Sequence, residues 1–183
     1  MKMGLTSEIA LNEIQKLFDM CFHLNAKLDR QVYVLDIKFN CPKLQGYWHN
    51  ISHKFPVIAD SIQEFGSLRG DLFYRGETPI ENKNYDRISD IFYDFAMDMA
   101  DMEKQCNLAI DKCIETNNKF YEDFLRDFGF KTLAPYTKQA TVFYKMAKDY
   151  ENSGSQYKIN RDFPSFVINE FKDTLGIFGK GGD

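Results

Sequence analysis

The stretch ISDIFYDFAMDMADMEKQCNLAIDKC, residues 88–113, carries Ile88, Phe92, Phe95, Met99, Met102, Cys106, Ala109 and Cys113 at alternating steps of four and three residues. An α-helix turns once every 3.6 residues, so these side chains form one apolar seam. Asp90, Asp94, Asp98, Asp101 and Glu103 fall mostly off that seam. The periodicity predicts a helix over 86–116 with one buried face, which sets the fold class as helical packing.

Working outward, Thr116-Asn117-Asn118 is a tight connection to a further helix over 119–150. So short a link predicts an antiparallel neighbour. Gly129 and Pro135 interrupt that fourth helix. Upstream, Gly76-Glu77-Thr78-Pro79 through Asn84 has turn chemistry and reads as a loop. Before it, residues 43–74 place Leu44, Ile51, Phe55, Ile58, Ile62, Phe65 and Leu72 on one side of a second helical stretch. Pro56 lies in its middle, and an interior proline removes a backbone hydrogen bond, so this stretch is either kinked or split in two. The first helix, over 7–39, has the seam Leu17, Cys21, Leu24, Leu28, Val32, Leu35 and Phe39, and Asn40-Cys41-Pro42 ends it. After a loop at 151–155, a short last helix over 164–175 is closed by Gly176, and 177–183 reads as a flexible tail. The expected architecture is all-α: one four-helix bundle domain over 1–176, with a kinked or split second helix and a short extra C-terminal helix.

Composition agrees with one such domain. The 183 residues are 44% apolar and 15% aromatic, enough for a substantial core. The 17 Phe and 10 Tyr leave two readings, a ligand pocket within the bundle or plain core. Their excess beyond one face points to a homo-oligomer interface. No apolar run approaches the roughly 20 residues of a membrane span, and the N-terminus carries charges where a signal peptide is apolar. The expected location is therefore the cytoplasm, without membrane attachment. The net charge of −4 argues against sequence-blind nucleic-acid binding, which needs a basic surface. Cys21, Cys41, Cys106 and Cys113 form no C-x-x-C pair, and three of them sit at seam positions, so neither a disulfide frame nor a structural zinc site is expected.

Candidate chemistry concentrates on the second helical stretch. At 100° per residue His49, His53, Asp60, Glu64 and Asp71 fall in a stripe about 60° wide. Imidazole and carboxylate are the ligand types that borderline and hard divalent metals take. The same stripe lies nearly opposite the apolar side, so it also reads as an ordinary solvated face. Asp98, Asp101 and Glu103 read as a charged solvent face, and His23 with Asp19 as a surface pair. Trp48-His49-Asn50-Ile51-Ser52-His53 superficially suggests a nuclease motif but lies in helical sequence. No phosphate-binding loop, dinucleotide fingerprint or serine-hydrolase elbow occurs.

Tyr33-Val34-Leu35-Asp36-Ile37-Lys38-Phe39-Asn40, followed by Pro42, His49 and Asp60-x-x-x-Glu64, resembles the miniferritins, the Dps-like DNA-protection branch of the ferritin-like superfamily. The resemblance covers residues 7 to 80 by motif and the rest by helix order. It implies a ferritin-like homo-oligomer that binds Fe(II) at a subunit interface and oxidises it with oxygen or peroxide. His49 and His53 would be ligands from one subunit, with Asp60 and Glu64 completing the site. The sequence departs from the family pattern at several places. His53 stands where an aspartate is usual, Lys38 aligns with the family's first histidine, and Phe65 replaces a common arginine. The E-x-x-H signature of the classical di-iron ferritins is absent. The alternative reading is a metal-free helical bundle acting as a protein-binding module.

Overall fold

The computed structural model describes residues 6–154 and 158–163. Its first helix, α1 (Glu8–Ile37), begins where the Ser7 hydroxyl accepts a hydrogen bond from the Ile9 N–H. It ends at Ile37, two residues short of the expected Phe39, and Asn40 then turns the chain left-handed with a φ of 51°, a conformation asparagine tolerates better than most residues. Pro42 then opens α2 (Pro42–Ser52), where its missing N–H costs no helical hydrogen bond. The second stretch is split: α2 ends at His53 and α3 (Lys54–Leu68) follows at once. The helix stops at Leu68, earlier than the sequence reading, because Gly70 adopts a φ of 74° and redirects the chain. Leu72 consequently lies beyond the helix and is exposed. After a long extended connection come α4 (Ile88–Glu115), α5 (Lys119–Phe128) and α6 (Ala134–Asn152). Between the last two, Gly129–Leu133 is a π-helical turn in which the Ala134 N–H reaches back to the Gly129 carbonyl. That extra residue shifts the register where Pro135 enters the helix and cannot donate. A further helical stretch covers 158–163. The expected helix at 164–175, its Gly176 cap and the tail at 177–183 lie outside the described residues.

These helices form an all-α four-helix bundle whose arms are α1, α2 with α3, α4, and α5 with α6. α1 with α2 and α3 forms one hairpin and α4 with α5 and α6 the other, and the connection from α3 to α4 runs the length of the bundle along α1. Three polar side chains, one helical turn apart, fasten it there. Gln15 bonds both the N–H and the carbonyl of Tyr74, Asp19 accepts from the Gly76 N–H, and the His23 ring bonds the Glu77 carbonyl. Asp19 and His23, read from sequence as a surface pair, hold the crossover instead. Asp71, read as part of the polar stripe, turns inward and accepts hydrogen bonds from the Thr6 and Tyr121 hydroxyls.

The core is aromatic at its centre. Trp48 is fully buried, with Phe92 and Phe95 edge-on at 4.8 and 5.1 Å, and Phe55, Tyr136 and Phe143 extend the cluster. These rings are core rather than a ligand pocket, while Tyr74, Phe120 and Phe130 stay exposed. A polar chain threads the same interior. The Trp48 indole donates to Gln31, Gln31 donates to the Tyr85 hydroxyl, and Tyr85 donates to Asp94. Lys83 and Lys27 neutralise Asp94, and Lys27 also pairs with Asp98 at 2.7 Å. Two helix starts are capped from far along the chain. Glu151 accepts from the backbone and hydroxyl of Ser89, and Asn160 accepts from the Lys43 and Leu44 N–H groups.

Replacing Tyr85 by Phe leaves Gln31 and Asp94 each short of a buried partner. We expect a loss of about 1–3 kcal/mol in unfolding free energy, read by urea denaturation. Acid should act on the same chain. Burial works against ionising Asp94, but the Lys83 ammonium, Lys27 and the Tyr85 hydroxyl together hold its carboxyl below the usual carboxylate range. A carboxyl whose folded pKa is lowered stabilises fully above its unfolded value, and that contribution is lost as pH falls through the folded value. Stability should therefore drop below about pH 4, and Asp94→Asn should flatten that part of the profile.

Candidate metal site

The break between α2 and α3 places two imidazoles side by side. His49 sits on the last turn of α2, and His53 closes that helix with φ −70° and ψ −10° while opening α3. The reason for the break is local. Pro56 has no N–H to give the Ser52 carbonyl four residues earlier, and Asn25 on α1 supplies that hydrogen bond from its side-chain amide at 3.0 Å. His49 and His53 remain one turn apart on the exposed face, with Nε2 atoms 3.1 Å apart and ring planes at 84°.

Asp29, half-buried on α1, completes the group. One ligand atom from each of Asp29, His49 and His53 lies within 4.8 Å of the other two. The buried Ser52 hydroxyl ties the carboxylate in place, its single hydrogen shared between Asp29 Oδ1 at 2.6 Å and the His49 carbonyl at 2.8 Å. Asp29 Oδ2 has no partner among the described residues.

This arrangement suits a borderline divalent cation. Two nitrogens bound to one tetrahedral metal at about 2.0–2.1 Å stand about 3.3 Å apart, close to the spacing already present. Two imidazoles with one carboxylate favour Fe(II), Zn(II) or similar ions over calcium and magnesium, which take oxygen ligands. The exposed side leaves further coordination positions open.

The other sequence candidates are placed differently. Asp60 and Glu64 are exposed on α3, but they do not join the three-residue group. Asp60 begins two turns beyond His53, about 10 Å along the helix axis. Lys38 donates to the Tyr85 carbonyl and lies 3.5 Å from Asp86, so it is used in holding the crossover. Asp98, read as solvent-facing, is part of the interior lysine pairing. Asp29 escaped the sequence reading because it belongs to a different helix. The one signal was its place beside Leu28 and three residues before Val32, at the edge of the α1 seam.

The bundle interior is built for a different purpose. Among the described residues no second grouping of three metal-ligating side chains occurs. Asp94 and Asp98 already hold ammonium groups, where a dinuclear centre would need free carboxylate oxygens. All four cysteines are free and buried. Burial pushes the Cys106 thiol up to about 12 and the Cys113 thiol up to about 11, so both stay protonated and poorly nucleophilic.

No protein-family model matches the sequence, and no curated protein matches it significantly. Among solved structures, an open-pore ferritin from the hyperthermophilic archaeon Archaeoglobus fulgidus is similar, with a TM-score of 0.72 and 10% sequence identity. The match covers 92% of this chain and 96% of that one. At that identity the likeness establishes the fold, and the fold is ferritin-like. No helix among the described residues is long and apolar enough to cross a membrane.

Because both imidazoles are exposed, the double substitution His49→Ala/His53→Ala should change unfolding free energy in metal-free buffer by no more than about 0.5 kcal/mol. A larger loss in thermal or urea unfolding would show that the pair belongs to the scaffold.

Proposed function

We propose that this protein is a metal-binding member of the ferritin-like fold that takes up Fe(II) as its substrate on the outside of the bundle. The observation that carries the reading is the 3.1 Å approach of two exposed imidazole nitrogens beside the Asp29 carboxylate. His49, His53 and Asp29 bind the ion from one chain. In a homo-oligomer, the exposed Asp60 and Glu64 of a second copy complete its coordination, as the resemblance to miniferritins suggests. Each Fe(II) then gives one electron to oxygen or peroxide, and the carboxylates favour the ferric product because they are hard anionic donors. The ferritin-like bundle supports the class, and the exposed position of the imidazoles supports placing the chemistry at a contact between copies.

Metal-stripped protein titrated with Fe(II) without oxygen tests this directly. One or two tight equivalents per chain are expected, and they should disappear in the His49→Ala/His53→Ala protein. Saturating metal should also stabilise the wild-type fold, by about 2.7 kcal/mol at a hundredfold excess over the dissociation constant. Absence of both binding and stabilisation would reject the iron reading. The bundle would then be read as a scaffold presenting exposed side chains such as Ile37, Phe120 and Phe130 to a protein partner.

A further inference from the structure

The residue between the two imidazole turns has a role that neither the motif nor the ligand set assigns. Ser52 is fully buried, yet its hydroxyl points at the half-buried Asp29 carboxylate across the α1–α2 contact. Its own carbonyl, released by Pro56, is held by Asn25 from the same helix that carries Asp29. Four groups are thereby locked in one frame: Asn25 and Asp29 one turn apart on α1, and Ser52 directly before His53. The frame fixes Asp29 Oδ1 and leaves Oδ2 with its lone pairs free. A free aspartate on a helix surface samples several rotamers, and holding one of them lowers the entropy lost when a cation binds. Partners of this kind around metal ligands commonly change affinity by 10- to 100-fold when removed.

We infer that Ser52 is a positioning residue for metal capture, fixing the Asp29 carboxylate so that its second oxygen faces the ion held by His49 and His53. The inference rests on the metal-site reading given above. It extends that reading by making the carboxylate arm of the site depend on a side chain that never touches the metal. The proline break is then part of the site, because an unbroken helix would use the Ser52 carbonyl internally and give Asn25 no reason to anchor there.

The test is a double-mutant cycle read with Co(II), a borderline divalent ion whose visible absorption reports its ligands. Affinity and spectrum are measured for wild type, Ser52→Ala, Asp29→Ala and the double variant, each confirmed folded by circular dichroism. Ser61→Ala, which removes a hydroxyl bonded only to the Val57 carbonyl of its own helix, serves as the control. We expect Ser52→Ala to weaken Co(II) binding about tenfold or more and to alter the visible band, with one equivalent still bound. In the Asp29→Ala background the same change should have no further effect, and Ser61→Ala should match wild type. A Ser52 effect that persists without Asp29 would show that the hydroxyl acts through the helix break, and would overturn the inference. Unchanged affinity in Ser52→Ala would overturn it too while leaving the metal site standing. Failure of wild type to bind Co(II) would overturn both.

Discussion

Pro56 cannot donate a hydrogen bond to the Ser52 carbonyl, and the geometry of the second arm follows from that single deficiency. The arm divides at His53 rather than bending smoothly. The orphaned carbonyl is satisfied by Asn25, so the break is tied to α1 at a fixed height along the bundle. The Ser52 hydroxyl, shared with the His49 carbonyl of its own helix, reaches Asp29 on the next turn of α1. The two histidines flank this junction on its outer side, which is why they approach each other and the carboxylate together.

The interior solves a separate problem. A bundle with one long crossover must keep that crossover from peeling away, since an extended segment contributes little apolar burial of its own. Gln15, Asp19 and His23 hold its backbone from outside, and Tyr85 anchors it from within by joining the Gln31–Trp48 and Asp94–Lys83 bonds. Each buried polar group in that chain has a partner, which is the condition under which such a network holds a structure in register rather than weakening it. The same pairing commits the interior carboxylates to lysines. Among the described residues, the one grouping of three side chains that could hold a metal is Asp29 with His49 and His53 at the bundle's outer face.

Much of the scaffold was legible. The four- and three-residue steps of Ile88 through Cys113 are all buried on α4, and the interruptions at Pro56, Gly129 and Pro135 fall where the helices break or change register. Periodicity reports burial, and burial depends on the bundle as a whole, so the α4 seam is kept entire, whereas Phe39 of the α1 seam falls beyond Ile37 and is only half-buried. The reading failed where a short stretch departs from its helix. Leu72 and Asp71 fit the helical wheel, but the left-handed turn at Gly70 ends the helix first and sends Asp71 inward. Wheel position carries no record of where the wheel stops.

The sequence alone determined an all-α bundle, the outward stripe bearing His49, His53, Asp60 and Glu64, and the absence of an E-x-x-H motif. Those are properties of spacing within one segment, and spacing is set by the helix repeat. Only the tertiary structure brought Asp29 to the histidines, gave Asp19 and His23 the crossover to hold, and paired Asp94 and Asp98 with lysines. Each of these joins residues on different elements, fixed by how helices settle against one another. That contact geometry depends on the packing of the entire core, and no local pattern in the chain encodes it.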